Sequence, residues 1–229
     1  MVMKPDGTWR PCGDYRRLNL VTTPDSYPLP NIQDLSARLR VHGCSIFSKL
    51  DLRKGYYQIP VQEGDIHKTA VITPFGLWEF LRMPFGLRNA GQSFQRFMDE
   101  VLVGLDFAFC YLDDILIASS SEDEHLQHLQ QVLQRLQQYG LVLNMEKCEL
   151  GRQQVDFLGH RITAEGAAPI TRHVEAVQNF PRPQDKKQLQ SFLGLVNFYR
   201  RFIPAAAKIL LPLTDALRAD QDWVWSPAM

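Results

Sequence analysis

Two adjacent aspartates, Asp113 and Asp114, lie in the middle of an otherwise apolar, β-forming stretch that runs from Phe107 to Ser119. The flanks are predicted to form two short buried strands, with the Leu-Asp-Asp step as the tight turn of a hairpin. Neighbouring carboxylates repel each other, and removing even one from water without a partner is costly. A divalent cation such as Mg²⁺ would offset this cost, because hard cations prefer carboxylate oxygens. A solvated Asp-Asp turn is the alternative that this stretch leaves open.

A third carboxylate, Asp51, lies at the end of another predicted short strand, which begins near Ile46 and is followed by a brief turn. A strand-end aspartate is often only the N-cap of a helix, so this residue alone favours the structural interpretation. Paired with Asp113 and Asp114, however, Asp51 becomes a candidate for the same site.

The composition is that of an ordinary globular protein, with 229 residues, 45% hydrophobic and 22% charged. This length allows a good core and two or three subdomains. The formal net charge is zero, so any binding of a polyanion must come from local basic patches. The longest apolar runs are too short for a membrane span, and no signal-peptide core is found, which predicts a soluble, non-secreted protein. Four widely separated cysteines argue against a zinc site or a disulfide framework and favour a reducing, intracellular setting; they are Cys12, Cys44, Cys110 and Cys148.

Basic residues flank a turn signal near the start of the chain. Pro5-Asp6-Gly7 predicts a β-hairpin with Lys4 and Arg10 on facing strands. Such a hairpin could present two cations to a phosphate, or it could be a solvated surface hairpin. A helix is predicted at 31–39, with Asn31 at its start.

The middle of the chain is predicted to contain a second hairpin within 68–80, around Pro74-Phe75-Gly76, followed by a loop at 83–91. The loop leads into a helix with Asn89 as a plausible cap, and an apolar stripe at helical spacing marks this helix as core.

An amphipathic helix is predicted from Ser119 to Gln138, ending before Gly140. Its His125 and His128 are spaced so that they could bind a metal, but no third ligand is in view, which favours a solvated or half-buried helix face.

Three or four short strands are predicted at 141–162, a boundary at Gly166 and Pro169, and helices at 171–180 and 186–202. The last helix carries basic residues interleaved with aromatic ones. It could follow a nucleic-acid backbone, or present a charged surface on a packed helix. The basic residues are Lys186, Lys187, Arg200 and Arg201.

Five separated stretches, in one order, resemble the reverse transcriptase of gypsy-class long-terminal-repeat retrotransposons. Tyr111-Leu112-Asp113-Asp114 resembles the YxDD signature of these enzymes, and residues 48–56 resemble their other carboxylate motif. The remaining stretches are 83–87, 157–160 and 191–195. The resemblance covers nearly the whole chain.

The resemblance implies an α+β right-hand polymerase fold with an antiparallel palm sheet backed by helices. The fingers would be residues 1–26 and 59–89, and the palm residues 27–58 and 90–165. Residues 166–229 would form the thumb and the start of the connection.

The activity that the resemblance implies is RNA-directed and DNA-directed DNA polymerisation, in which deoxynucleotides are added to a primer 3′-hydroxyl. Two Mg²⁺ ions, with Mn²⁺ as an alternative, would be held about 3.5–4 Å apart by Asp51 and Asp113, with Asp114 completing the cluster. The partners would be a primed RNA or DNA template, dNTPs and, in a full-length parent, other Pol segments such as ribonuclease H and integrase. No membrane partner is expected, and the location, a cytoplasmic virus-like particle or the nucleus, is left open.

Further roles follow from the same resemblance. Lys4 and Arg10 would grip the incoming triphosphate, Tyr56 would be the steric gate against a ribose 2′-hydroxyl, and Phe85 would lie near the nucleotide sugar. The residues expected to contact primer and template are Leu158, Gly159 and His160 as the primer grip, with Lys186, Lys187, Arg200 and Arg201 on the thumb. For Phe85 and Leu158, simple core packing is the alternative.

The chain also departs from the family pattern. Where the family has a proline before the central helix, this chain has Gly91, so the loop is expected to be more mobile. The stretches that normally precede Met1 and follow Trp225 are missing, which suggests an excised polymerase core or a truncated genomic copy. The rival interpretation is a catalytically idle nucleic-acid-binding remnant. An RNA polymerase with the same palm is disfavoured by Tyr56.

Overall fold

The computed structural model describes residues 2–3, 7, 9–10, 12–30, 43–218 and 225. The chain divides into two compact units. The first consists of Met1–Phe157 with Thr163–Gly166, and the second of Leu158–Ile162 with Ala167–Met229.

The described residues form eleven strands and six α-helices. The strands are β1 (Val2–Met3), β2 (Trp9–Arg10), β3 (Ile46–Asp51), β4 (Val71–Thr73), β5 (Gly76–Trp78), β6 (Ala108–Tyr111), β7 (Asp114–Ser119), β8 (Glu149–Arg152), β9 (Val155–Phe157), β10 (His160–Thr163) and β11 (Gly166–Pro169). The helices are α1 (Arg16–Val21), α2 (Ala90–Val101), α3 (Glu122–Gln138), α4 (Thr171–Gln178), α5 (Lys186–Phe198) and α6 (Ala206–Asp215). Short 3₁₀ helices occupy Gly55–Gln58, Glu63–Thr69, Met145–Lys147 and Arg200–Phe202.

A four-stranded sheet of order β6-β7-β3-β8 is the centre of the first unit, and each pairing is antiparallel. Because side chains alternate along a strand, each strand contributes to both faces. Leu50, Ile115 and Ile117 lie on one face and share a core cluster with Phe94 of α2 and Val132 of α3. The predicted antiparallel sheet backed by helices is therefore confirmed.

The opposite face of this sheet is also apolar towards its middle. Phe47, Phe109 and Leu116 are buried there, and the ring of Phe109 meets the ring of Phe157 edge-on at 6.1 Å. With both faces covered, the central strands hold the backbone at their ends in a fixed place.

Helix α3 ends at Gln138 as predicted, but it begins at Glu122 and not at Ser119, which is the last residue of β7. The side chain of Ser121 accepts a hydrogen bond from the backbone N–H of Glu124 at 3.3 Å, and three acidic residues in the first turn complement the helix dipole. Gly140, at φ 69°, follows the helix in the left-handed conformation that favours glycine.

Both predicted hairpins are present. In the first, Val2 pairs with Arg10 and Met3 with Trp9, and in the second, Val71 pairs with Trp78. Lys4 and the predicted helix at 31–39 lie outside the described residues.

The second unit has its own helical core, formed by Leu189, Leu193 and Val196 of α5 with Leu210 and Leu213 of α6. The helix predicted at 186–202 ends at Phe198 and is followed by a 3₁₀ turn at Arg200–Phe202. The sequence pattern does not predict α6, because Pro212 lies inside it and proline usually interrupts a helix.

Strands β9, β10 and β11 form a three-stranded sheet of order β11-β10-β9. The boundary predicted at Gly166 and Pro169 therefore falls on a paired strand, β11. The limits of the predicted fingers, palm and thumb stay a prediction. Among the described residues, no helix combines the length and the apolar character that crossing a membrane requires.

Candidate active site

Asp51 and Asp114 are direct cross-strand partners, because β3 and β7 pair with Asp51 opposite Asp114. Directly opposed residues in an antiparallel pair project from the same face. Leu50 and Ile115, their neighbours, face the helices, so the two aspartates lie on the opposite face. Asp113 lies between β6 and β7, in the predicted turn.

The charges around Asp114 work against one another. Burial raises the pKa of Asp114, the charges of Asp113 and Asp51 raise it further, and Lys49 and Lys147 act in the opposite direction. Lys147 Nζ lies 3.8 Å from Asp51 Oδ2. The acidic cluster is thus partly neutralised by two lysines of its own chain.

The donor set of this cluster is suited to a hard divalent cation, since carboxylate oxygens are its preferred ligands. In the part of the chain that the structure describes, no three His, Cys, Asp or Glu side chains come together in a metal-binding group. The backbone brings Asp51, Asp113 and Asp114 next to one another, and Asp51 faces Lys147. Asp51 is not a helix N-cap, because its backbone belongs to β3.

The turn that carries Asp113 is held by a buried glutamine that the sequence analysis did not single out. Gln95 Oε1 accepts a hydrogen bond from Leu112 N at 2.8 Å, and Gln95 Nε2 donates to Cys110 O at 3.1 Å and to Asp99 Oδ1 at 2.9 Å. Leu112 has a φ of 54°, which a residue with a Cβ adopts at a cost. The sequence does contain one signal for this role, because Gln95 is a polar residue within the apolar stripe of α2, three positions before Met98.

The segment after β3 is in direct contact with the same turn. Leu52 N donates to Asp113 O at 3.1 Å. A Cβ added to Gly55 would lie 2.9 Å from the Asp113 Cβ and 3.0 Å from the Phe94 ring. Glycine at position 55 therefore allows the close approach that sets the position of Asp113.

Tyr56 follows Gly55 and lies beside the acidic cluster. Its ring centroid is 5.2 Å from that of Phe85 and 5.3 Å from that of Phe94. Burial raises the pKa of Tyr56, and the negative charge of Asp113 contributes in the same direction. The structure thus brings Tyr56, Phe85 and Asp113 into one neighbourhood. Phe85 is partly exposed, and its role at a nucleotide sugar stays a prediction.

Gly91 lies in the first turn of α2 and not in the loop before it, and that loop is anchored by side chains. Asn89 precedes α2 as predicted, but it makes no side-chain cap. Instead, Asn89 Nδ2 donates to Thr23 O at 2.8 Å, and Asn89 Oδ1 accepts from Asp25 N at 3.0 Å. The prediction that Asn89 caps α2 is therefore wrong. Its side chain instead connects the loop to the segment that follows α1 through hydrogen bonds.

His125 and His128 belong to a hydrogen-bonded network inside the first unit. His125 Nε2 lies 2.7 Å from Ser48 Oγ, and His125 Nδ1 lies 2.8 Å from Ser119 Oγ. Ser119 Oγ is also 2.8 Å from His128 Nδ1. Burial lowers the pKa of His125, and the neighbouring His128 contributes. This network joins α3 to the two strands that end at Asp51 and begin at Asp114. The predicted solvated or half-buried helix face is wrong for His125, which is buried, and holds for the partly buried His128.

In the second unit, the proposed primer grip forms a two-residue turn, Leu158 and Gly159, ahead of β10. His160 is only 1% exposed, and its ring lies against those of Phe198, Tyr199 and Phe202. The side chain of His160 therefore supports the turn from inside, whereas Leu158 and Gly159 are partly exposed.

The basic residues predicted to contact nucleic acid differ in their exposure and in their partners. Lys187, Arg200 and Arg201 are exposed, and the Arg201 guanidinium lies 4.6 Å from the centre of the Phe202 ring. Lys186 is partly buried, and its Nζ donates to Arg218 O at 2.6 Å. Arg10 lies in β2, but neither its side chain nor Lys4 is among the described parts of the structure.

Comparison with known proteins gives one answer. The family model described as "Reverse transcriptase (RNA-dependent DNA polymerase)" matches residues 2–162. The chain is 41% identical over 228 residues to the Transposon Tf2-3 and Tf2-4 polyproteins of Schizosaccharomyces pombe. These alignments cover 99% of this chain and 17% of each relative, so the chain spans about a sixth of their length.

Solved structures of reverse transcriptases are similar to this chain as well. A foamy viral protease-reverse transcriptase in complex with double-stranded DNA is 28% identical, with a TM-score of 0.89 over 99% of this chain and 40% of the other. A foamy viral protease-reverse transcriptase in complex with an RNA/DNA hybrid is 27% identical, with a TM-score of 0.79 over 98% and 30% of the two chains. These matches confirm the family and the polymerase fold class predicted from the motifs, and the transposon relatives agree with the predicted retrotransposon origin.

Proposed function

The chain belongs to the reverse transcriptase family, and on that basis we propose that it is an RNA-directed DNA polymerase that also copies DNA templates. In the proposed reaction the primer 3′-oxygen attacks the α-phosphorus of a deoxynucleoside triphosphate. The new phosphorus–oxygen bond extends the primer, the bond to the β-phosphate breaks, and pyrophosphate leaves. The hydroxyl proton is lost to solvent or to a nearby base.

The observation that carries this proposal is the pairing of Asp51 with Asp114 beside Asp113. Burial raises the pKa of Asp114, and the charges of Asp113 and Asp51 raise it further. Holding like charges together at a partly buried position is a cost that a purely structural site has no reason to keep. Phosphoryl transfer needs this arrangement, because negative charge accumulates on the triphosphate as the bond breaks.

Asp51, Asp113 and Asp114 would together hold two Mg²⁺ ions, with Mn²⁺ as an alternative. When bound, such ions activate the attacking oxygen and neutralise the leaving group. Lys147, which faces Asp51 at 3.8 Å, would give up this weak contact when a cation of higher charge binds.

The surrounding residues would position the substrates. Tyr56, held between Phe85 and Phe94, would lie under the sugar and exclude a 2′-hydroxyl. Lys4 and Arg10 would contact the triphosphate. The relatives in complex with double-stranded DNA and with an RNA/DNA hybrid support a primed template as the partner.

The duplex would be held by the Leu158–Gly159 turn and by the exposed Lys187, Arg200 and Arg201, with Lys186 nearby. The neighbouring segments in a full-length parent would be other Pol domains.

Primer extension on an RNA template with dNTPs and Mg²⁺ tests the proposal. The wild-type chain should extend the primer, and Asp113→Asn should abolish extension while primer–template binding persists. Asp106→Asn is the matched control, because Asp106 is an exposed aspartate in the segment before β6, and this variant should extend like wild type.

Two results would contradict the proposal. If a folded wild-type chain binds the primer–template without extending it, the idle remnant is the better account. Equal extension by the wild type and Asp113→Asn would mean that the site is elsewhere.

A further inference from the structure

The turn between β9 and β10 has an unusual backbone. Its two central residues, Leu158 and Gly159, have φ values of 46° and 81°. Two-residue hairpins of this kind need positive φ at both positions, and Asn-Gly is the usual sequence. Leucine has no side-chain hydrogen bond to offer in the left-handed conformation, and its Cβ makes that conformation unfavourable. The turn therefore depends on contacts from outside itself.

Tyr199, the residue after α5, supplies such a contact. Its hydroxyl donates a hydrogen bond to Gly159 O at 3.0 Å, and the residue is 7% exposed. Gly159 O also accepts a longer bond from Ile170 N at 3.4 Å. A Cβ at position 159 would lie 3.0 Å from the Tyr199 hydroxyl and 3.3 Å from the Phe198 ring, so the fit leaves little room for the turn to shift.

His173 of α4 fixes the direction of this hydrogen bond. His173 Nδ1 is hydrogen-bonded to the Tyr199 hydroxyl. The hydroxyl has one proton, and Gly159 O can only accept. Nδ1 of His173 must therefore carry the proton that it donates to Tyr199, an assignment that follows from the bonding pattern.

A second histidine supports the other half of the turn. His160 Nδ1 lies 3.0 Å from Leu158 O, which can only accept, so His160 donates. The carbonyl groups of both turn residues are thus held by side chains, and those side chains are packed together. The rings of Tyr199 and His173 are 5.8 Å apart, and those of Tyr199 and His160 are 5.6 Å apart.

We propose that Tyr199, oriented by His173, is a positioning residue that holds the Leu158–Gly159 turn where the primer strand needs it. The proposal rests on the proposed polymerase function, in which this turn contacts the primer. A displacement of about 1 Å at a reacting group can lower a rate by about 10²-fold. Loss of one hydroxyl proton donor should therefore reduce incorporation without changing how the nucleotide binds.

The test is Tyr199→Phe, which removes only the hydroxyl, with Tyr139→Phe as the control, because Tyr139 is an exposed tyrosine that follows α3. Single-nucleotide incorporation is measured at saturating primer–template. The expected result for Tyr199→Phe is a kcat at least about tenfold lower, with the KM for dNTP unchanged and the protein still fully folded at the assay temperature. His173→Gln, which keeps an N–H donor, should retain more activity than His173→Phe.

A second readout does not require chemistry. A primer with 2-aminopurine at its 3′ end, bound without dNTP, reports how the terminal base is stacked. Its fluorescence should differ between Tyr199→Phe and the wild type and should not change in Tyr139→Phe.

Identical incorporation and identical fluorescence in Tyr199→Phe and the wild type would overturn the proposal. A loss of rate that disappears when incorporation is measured well below the unfolding midpoint of Tyr199→Phe would overturn it as well, since Tyr199 would then contribute only to global stability. If the wild type binds primer without incorporating nucleotide, the polymerase proposal fails, whereas the fluorescence comparison still decides the role of Tyr199.

Discussion

Asp51 and Asp114 face each other across two adjacent antiparallel strands, one at the last position of β3 and the other at the first position of β7. Nothing about strand pairing favours two like charges at opposed positions, which are destabilising in a sheet. The buried strands behind them, with Leu50 and Ile115 in the core, fix the pair in place. A divalent cation bound between these carboxylates, as proposed for the polymerase reaction, would offset their repulsion.

Gln95 should be essential for the geometry of the Asp113 turn. In Gln95→Leu, Leu112 N–H and Cys110 C=O lose their side-chain partner. Each buried group left without a hydrogen bond costs about 1–3 kcal/mol. We expect the free energy of unfolding, measured by urea denaturation, to fall by at least that amount and the extension rate to drop at least tenfold, about 1.4 kcal/mol in activation free energy.

The control for this variant is Gln131→Leu, at an exposed position of α3. Substitutions of this kind are usually within about 0.5 kcal/mol of wild type. A Gln95→Leu protein as stable and as active as Gln131→Leu would show that the turn does not need its glutamine.

His125 should make the first unit sensitive to acid. Burial, with a contribution from His128, lowers the pKa of His125, so the folded protein binds this proton more weakly than the unfolded chain does. The contribution of His125 to stability is therefore complete above the ordinary histidine pKa of about 6.5, and it is lost as the pH falls from there towards the folded-state pKa.

The measurement is the free energy of unfolding at pH 7.5 and at pH 5.5, by urea denaturation. His125→Gln should lower stability at pH 7.5 and show a smaller decrease between the two pH values than the wild type. His67→Gln, at an exposed histidine, should keep the wild-type decrease. The same decrease in all three proteins would assign the acid sensitivity to other groups.

Tyr56 should determine the choice of sugar. In Tyr56→Ala the ring that packs on Phe85 and Phe94 is removed, and space opens beside Asp113. We expect the ratio of kcat/KM for dCTP over CTP to fall at least tenfold, about 1.4 kcal/mol, measured by single-nucleotide incorporation. Tyr139→Ala, at an exposed tyrosine, should keep the wild-type ratio. An unchanged ratio in Tyr56→Ala would remove the steric-gate assignment.

The main elements of the site could be predicted because their signals are local. The apolar flanks of Asp113 and Asp114 predict two strands and a turn, and the spacing of Phe94, Met98 and Val101 predicts α2. The register that puts Asp51 opposite Asp114 could not be predicted in this way. It depends on which strands pair, and no single segment of the sequence contains that information.

The features that the sequence did not predict have nonlocal causes. Gln95 is one of many polar residues on a helix until the fold places Cys110 and Leu112 beside it. Asn89 precedes a helix, but its side chain bonds to Thr23 O and Asp25 N from a distant segment, which capping rules do not consider. The burial of His160 depends on aromatic residues about 40 positions later in the chain.

The most direct test of the account is a double-mutant cycle on Asp51 and Asp114, with primer incorporation as the readout. If the two carboxylates act as one unit, Asp51→Asn and Asp114→Asn should each reduce the incorporation rate by at least about 10³-fold, and the double variant should be hardly worse than either. Primer–template binding should persist in all three variants. Losses that multiply in the double variant, or a rate within a few-fold of wild type in either single variant, would contradict a shared catalytic centre.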